Sequence, residues 1–232
     1  MALKKYKHLF FDLDRTLWDF ERNSTETITD LLESLDLKNK NIGNAHDFLN
    51  VYKSKNQELW LAYRQGKISK DKLRQERFHQ AFLHFELNDP ELALHFNDKY
   101  VEICSSKPHL LPNAKEVLRY LDEHYMMHII TNGFVEAQYV KIKNTGLENY
   151  FKQVVVSDGL GYRKPDKRIF HHAMKLAGAS QKDSLMIGDD YDADIVGARA
   201  IGIDQVYFKP MHEKPKEATF EITDLKELLE FL

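Results

Sequence analysis

Four short groups of polar residues hold the reactive chemistry of this chain. They are Asp12-Leu13-Asp14, Thr131-Asn132-Gly133, Lys164-Pro165, and Gly188-Asp189-Asp190 with Asp192 and Asp194 close behind. Asp12 and Asp14 are two apart, so an extended backbone turns both carboxyls to one side while Leu13 points the other way. Carboxylates held close repel one another, and Asp189 adds to the repulsion unless a cation sits among them. A hard divalent ion such as Mg²⁺ takes one or two carboxylates, keeps several waters and leaves room for phosphate oxygens. The acidic cluster therefore implies a metal. A carboxylate can also attack phosphorus and split one hard displacement into two easier ones, if cations and donors neutralise the equatorial oxygens. Lys164 supplies the cation, and Thr131 with backbone N–H groups near Asn132 supplies the donors.

Each group alone has a plainer reading. Asp-x-Asp serves as a turn or a helix cap. Thr131-Asn132-Gly133 makes a turn with Gly133 at positive φ. Lys164-Pro165 reads as a solvated loop, and the run from Asp189 to Asp194 charges a helix N-terminus. What joins the four is the order of the elements that carry them.

The run 9–13 is short, apolar and aromatic, and reads as a buried strand. From Asn23 the signals Ser24, Thr25 and Glu26 precede Ile28, Leu31, Leu32 and Leu35 at helical spacing. Helical patterns follow over 45–64, 69–85 and 90–104, broken by Gly66 and Asn88-Asp89-Pro90. After Pro108 and Pro112 the pattern alternates: helix 113–124, strand 128–131, helix 135–144, strand 153–157, helix 166–177, strand 184–188, helix 192–200, strand 205–208, a loop over 212–218 and a final helix 224–232. Such alternation predicts an α/β fold, a doubly wound, mostly parallel sheet with helices on both faces. The economical assembly returns strand 9–13 to that sheet, giving a core of 1–18 and 107–232 with an all-helical cap, 19–106, inserted after the first strand. The polar groups then fall at strand carboxyl ends, where open parallel sheets bind ligands.

The 232 residues suffice for a sizeable core, and 43% hydrophobic, 12% aromatic and 30% charged residues fit a globular protein. With 33 Lys and Arg against 36 Asp and Glu, the net charge of −3 disfavours nucleic acid polymers and anionic membranes as partners. The lone Cys104 has no intrachain partner and suits a reducing compartment. The apolar start ends at Asp12, short of a signal peptide, and no run approaches a membrane span. A cytoplasmic monomer or homodimer acting on a small molecule is the expectation.

The ordered set Phe10-Phe11-Asp12-Leu13-Asp14-Arg15-Thr16-Leu17, Thr131-Asn132-Gly133, Lys164-Pro165-Asp166 and Gly188-Asp189 with Asp194 resembles the four motifs of the haloacid dehalogenase superfamily. The helical insertion resembles the cap of the subfamily whose cap follows the first motif. Thr16 to Phe20 is similar to the branch containing pyrimidine 5'-nucleotidases. The resemblance implies a Mg²⁺-dependent phosphatase with Asp12 as nucleophile and metal ligand. Asp14 would act as acid and base and offer its backbone carbonyl to the metal, and Asp189 would complete the ligands. Thr131, Asn132 and Lys164 would hold the phosphoryl group, with Lys164 also steadying Asp12. Asp194 would orient Lys164 or metal-bound water from behind. Asp190 stands where relatives often have Ser, and Arg15 where they often have Gly. An acid at Asp14 separates phosphatases and phosphomutases from the dehalogenases.

The helical insertion is expected to select the substrate. Residues 53–79 hold eight Lys or Arg against three Asp or Glu, which reads either as an anion lure or as a solvated face. Trp18, Phe20, Trp60 and Tyr63 are candidate stacking partners for a nucleobase, with Trp18 or Trp60 expected at the cleft. The favoured substrate is a nucleoside 5'-monophosphate. A sugar-phosphate phosphatase, a phosphomutase and a non-catalytic acidic-pocket binding protein are the alternatives.

Overall fold

A strand of four consecutive apolar, aromatic or neutral-imidazole side chains suits a position covered on both faces, and β1 (His8–Phe11) is buried along its whole length. The computed structural model describes residues 5–37, 40, 42–209 and 213–232. Four helices follow β1: α1 (Phe20–Ser34), α2 (Ala45–Arg64), α3 (Lys70–His84) and α4 (Pro90–Ser106). The chain then alternates through α5 (Ala114–Asp122), β2 (Met126–Thr131), α6 (Val135–Asn144), β3 (Phe151–Val156), α7 (Lys167–Ala177) and β4 (Ser184–Gly188). A π-helical stretch, Tyr191–Val196, runs into the short α8 (Gly197–Arg199), and β5 (Asp204–Phe208), β6 (Phe220–Ile222) and a 3-10 helix, Leu225–Glu230, complete the order.

The six strands lie in the order β3-β2-β1-β4-β5-β6. Every pairing is parallel, and Phe10 of β1 stands level with His128 of β2 and Met186 of β4. The strand order reverses between β1 and β4, and a crevice at such a reversal is where open parallel sheets receive ligands. Asp12 leaves β1 there and Asp189 leaves β4. On one face Phe10, Ile130, Val155 and Met186 pack with Phe170 of α7 and Ala198 of α8. A Cβ at Gly197 would sit 2.8 Å from the Phe170 ring and 3.0 Å from Pro165 Cα, so the bare glycine lets α8 close on α7.

Residues Glu21–Lys107 form a compact unit apart from Met1–Phe20 with Pro108–Leu232. Its core is aromatic: Tyr52 stacks on Phe78 at 4.7 Å between ring centres, and Phe78 meets Phe96 at 4.7 Å and Tyr100 at 5.0 Å. The side chains of Asn44, Ser69 and Asp89 cap α2, α3 and α4, and Pro90 opens α4 where a missing N–H is harmless.

Four expectations about elements need correction. The final helix is a six-residue 3-10 turn. Its buried residues, Leu225 and Leu228, are three apart, the 3-10 repeat, and Asp224 with Glu227 forms a capping box at its start. The helix expected over 192–200 is widened into a π-helical stretch, because the Asp194 carboxylate folds back to accept from Asp190 N–H at 3.1 Å. Strand β6 was not anticipated, since three residues are too few to display an alternating pattern. α1 also starts at Phe20 rather than beyond Asn23, with Asn23 and Ser24 buried inside it. Of the loop expected over 212–218, His212 lies outside the described residues and the rest is exposed or half-buried.

Replacing Phe78 with Ala removes the ring at the centre of the helical unit and is expected to cost about 3–5 kcal/mol. Urea unfolding of the two proteins checks this, and a loss under about 1 kcal/mol would show that the aromatic cluster collapses to fill the space.

Candidate active site

Lys164 is 2% exposed, and a bare ammonium at that depth survives only if its hydrogens and charge are matched. Its Nζ donates to Asp12 Oδ1 at 2.5 Å and to Ile130 O at 2.7 Å, and Asp194 Oδ1 lies 2.7 Å away. Two hydrogen bonds and a second carboxylate in ion-pair contact thus meet the ammonium. Burial by itself would strip the proton, but the charges of Asp12 and Asp194 outweigh it and hold the lysine well above its ordinary pKa. The backbone of Lys164 is fixed in turn by Asn132, whose Oδ1 accepts from Lys164 N at 2.8 Å while its Nδ2 donates to Lys164 O at 2.9 Å. The Asn132 amide thus positions Lys164.

Single oxygens of Asp12, Asp189 and Asp194 all lie within 4.8 Å of one another. Burial, then the neighbouring carboxylates, push Asp189 well above the carboxylate range. Burial likewise raises Asp194, to about 7 despite Lys164, and raises Asp12. One ammonium does not balance three carboxylates. Hard oxygen donors at this spacing fit a divalent ion, across which opposed ligand oxygens stand about 4.2 Å apart. Thr16 Oγ1 donates to Asp189 Oδ1 at 3.2 Å and steadies it. A Cβ at Gly188 would collide with the Asp194 carboxylate, which explains a glycine just before Asp189.

Asp14 is held separately. Its Oδ1 accepts from Lys141 Nζ at 2.6 Å and its Oδ2 from Gln138 Nε2 at 2.8 Å. Burial would raise its pKa, but Lys141 and Gln138 overcome that and the net shift is downward. Its side chain is not in the three-carboxylate group, although the sequence pattern suggested that it would join. Gln138 Nε2 also donates to Thr131 Oγ1 at 2.7 Å. Gln138 and Lys141 escaped the sequence reading because each looks like a routine residue of an amphipathic helix; their i, i+3 spacing and the glycine at 133 were the available signal. Gly133 does not have positive φ. It is glycine because a Cβ there would run into the Gln138 amide.

Residues 6–202 match the model of the family described as haloacid dehalogenase-like hydrolase. The chain belongs to that family. It is 32% identical over 234 residues to the pyrimidine 5'-nucleotidase PynA of Streptococcus pneumoniae, covering 98% of this chain and 95% of that protein. It is 31% identical over 232 residues to the pyrimidine 5'-nucleotidase YjjG of Escherichia coli, covering 98% of each. The crystal structure of Bacillus subtilis YfnB bound to magnesium superposes with a TM-score of 0.88 at 28% identity, over 98% of both chains.

As a haloacid dehalogenase-like hydrolase the chain is an enzyme, and its α/β core with an inserted helical cap is the family architecture. No helix among the described residues is long and apolar enough to cross a membrane. Two specificity ideas change. Trp18 and Tyr63 are buried, at 0% and 5% exposure, so neither offers a ring face to a base; Phe20 and Trp60 are half-buried. The basic excess over 53–79 is matched in part within the helical unit: Lys53 pairs with Glu21, Lys55 with Glu58, Lys72 with Glu76 and Arg74 with Asp98. Arg77 is buried against Asn97. Counting charge along the window missed acids supplied from outside it.

These shifts set a pH dependence. Asp194 keeps a proton in the folded chain that the unfolded chain releases near pH 4, so its stabilisation is present below pH 4 and lost as pH rises through about 7, and Asp189, also raised, acts in the same sense. The buried, stacked pair His8 and His128, the latter lowered by burial to about 4, acts in the opposite sense, but only below about pH 6.5. Metal-free protein is therefore expected to lose melting temperature from pH 6.5 to 8, and Mg²⁺ to restore more at pH 8 than at pH 6.5. Differential scanning fluorimetry decides it, and a metal-free melting temperature that climbs across this interval would refute the carboxylate account.

Proposed function

We propose that the chain is a Mg²⁺-dependent phosphatase acting on nucleoside 5'-monophosphates, with pyrimidine nucleotides preferred. The observation that carries the reading is Asp12 bound to Lys164 at 2.5 Å, with Asp189 and Asp194 oxygens within 4.8 Å of its own. A nucleophilic carboxylate, a matched cation and room for a divalent ion meet at one strand reversal. The magnesium-bound relative and the two pyrimidine 5'-nucleotidases spanning nearly the whole chain support the metal and the substrate class.

Asp12, Asp189 and the backbone carbonyl of Asp14 would hold Mg²⁺, which supplies positive charge to phosphoryl oxygens and lowers the repulsion between ester and nucleophile. An Asp12 carboxylate oxygen attacks phosphorus, the bond to the nucleoside oxygen breaks, and Asp14 in its acid form gives that oxygen a proton. A water then attacks the aspartyl-phosphate, Asp14 takes its proton, and inorganic phosphate leaves with Asp12 restored. Thr131 donates to a phosphoryl oxygen throughout. Lys164 contributes its charge and holds Asp12 in line through its hydrogen bond to that carboxylate. Asp194 keeps Lys164 in place from behind.

Phosphate release measured over pyrimidine and purine 5'-monophosphates and sugar phosphates, with and without Mg²⁺, tests both levels of the reading. Pyrimidine nucleotides should lead by roughly tenfold in kcat/KM. Asp12→Asn should reduce the rate by about 10³-fold or more. A preference for sugar phosphates would remove the nucleotide assignment alone, whereas an active Asp12→Asn protein would remove the nucleophile.

A further inference from the structure

Helix α6 sends two side chains, one turn apart, to the same carboxylate. Lys141 takes Asp14 Oδ1 at 2.6 Å and Gln138 takes Asp14 Oδ2 at 2.8 Å, so neither oxygen is left to swing. Lys141 Nζ is further braced over the Trp18 ring, 4.3 Å from its centre. Gln138 is fully buried and its Nε2 has two hydrogens, the second of which goes to Thr131 Oγ1 at 2.7 Å. Turning the amide over would set Oε1 against the Asp14 carboxylate, so its orientation is dictated. The same orientation leaves Oε1 buried with no hydrogen-bond partner among the described residues. A buried acceptor left bare is costly, and here it accompanies two donations at the reaction centre.

The consequence falls on Thr131. A hydroxyl has two acceptor sites and one donor hydrogen. Gln138 Nε2 fills one acceptor site and Gly133 N–H, at 3.2 Å, the other. The hydroxyl hydrogen is then the only polar function Thr131 has left, and it serves an acceptor such as a phosphoryl oxygen. The bare Gly133 leaves the space that the amide occupies.

We infer that Gln138 and Lys141 are positioning residues for phosphoryl transfer: Gln138 makes Thr131 an obligate hydrogen-bond donor to the phosphoryl group and, with Lys141, fixes the Asp14 carboxylate. The inference rests on the phosphatase reading above. The two residues act through different partners, because Gln138 touches Thr131 and Asp14, whereas the Lys141 ammonium touches Asp14 and not Thr131.

Steady-state hydrolysis of p-nitrophenyl phosphate with Mg²⁺ separates them. Gln138→Met is expected to raise KM roughly tenfold through the lost donor and to lower kcat as well. Lys141→Met should lower kcat roughly tenfold with KM within about twofold, and Lys141→Arg should recover most of that loss. In a Thr131→Val background the KM effect of Gln138→Met should vanish. Parallel changes in kcat and KM for both single variants, or an undiminished KM effect without the Thr131 hydroxyl, overturn the assignment and leave only support of the helix. Should Lys141→Met not fold, Gln138→Met with and without Thr131→Val decides the question. Wild-type protein that releases no nitrophenol with Mg²⁺ would instead overturn the phosphatase reading, a result seen before any variant is made.

Discussion

An ammonium buried among carboxylates is the constraint on which the site depends. Lys164 keeps its charge because Asp12 and Asp194 stand against it at 2.5 and 2.7 Å, and those acids tolerate burial in part because Lys164 is there. Meeting both conditions fixes much of the surrounding chain. Asn132 must clamp the lysine backbone, Gly188 must lack a side chain so that Asp194 can reach it, and the turn after Asp190 must widen to aim that carboxylate. None of these features adds reactive chemistry of its own. Each makes the pairing geometrically possible at the reversal between β1 and β4.

Two acids only two residues apart are given opposite characters by their surroundings. Asp12 faces Lys164 within a group that carries excess negative charge, and burial leaves its pKa raised. Asp14 faces Lys141 and Gln138, and their combined effect leaves its pKa lowered. Neighbouring carboxylates pushed apart in this way can take separate tasks in one reaction, one as nucleophile and one in proton transfer. Asp14 is a carboxylate bound at both oxygens, so in the proposed reaction giving a proton to a leaving group would require an exchange of partners. Both partners come from the single helix α6.

Much of this was legible in the sequence because the reactive groups cluster at the ends of strands, and strands in a parallel sheet announce themselves by apolar runs. The bounds of α2, α6 and β4 follow from periodicity and punctuation alone, with Asn44 capping α2 and Gly188 ending β4. What escaped was information carried by tertiary neighbours. Gln138 and Lys141 are polar residues on a helix, and nothing local says that they turn inward toward Asp14. Gly133 looks like a turn glycine until the Gln138 amide is seen in its place. Trp18 looks like a stacking platform until it proves to be the surface beneath Lys141. The terminal 3-10 turn was misread because two leucines three apart serve an α-helix or a 3-10 helix equally well until packing chooses.

The same geometry explains why the core cannot choose a substrate by itself. On the phosphatase reading, Asp12, Asp14, Thr131 and Lys164 would serve a phosphoryl group and the oxygen it leaves, features common to all phosphate monoesters. Discrimination must therefore come from side chains that reach beyond that oxygen. Arg15, next to Asp14 in the chain, is exposed. It holds φ at 65°, a conformation costing roughly 1 kcal/mol for a residue with a side chain, and sets its guanidinium 4.0 Å over the Phe20 ring. Its charge lies close enough to oppose the upward shift of Asp189 and to favour ionised Asp14. The left-handed backbone at Arg15 thus sets a positive charge at the edge of the acidic cluster, where it faces an aromatic ring and two carboxylates.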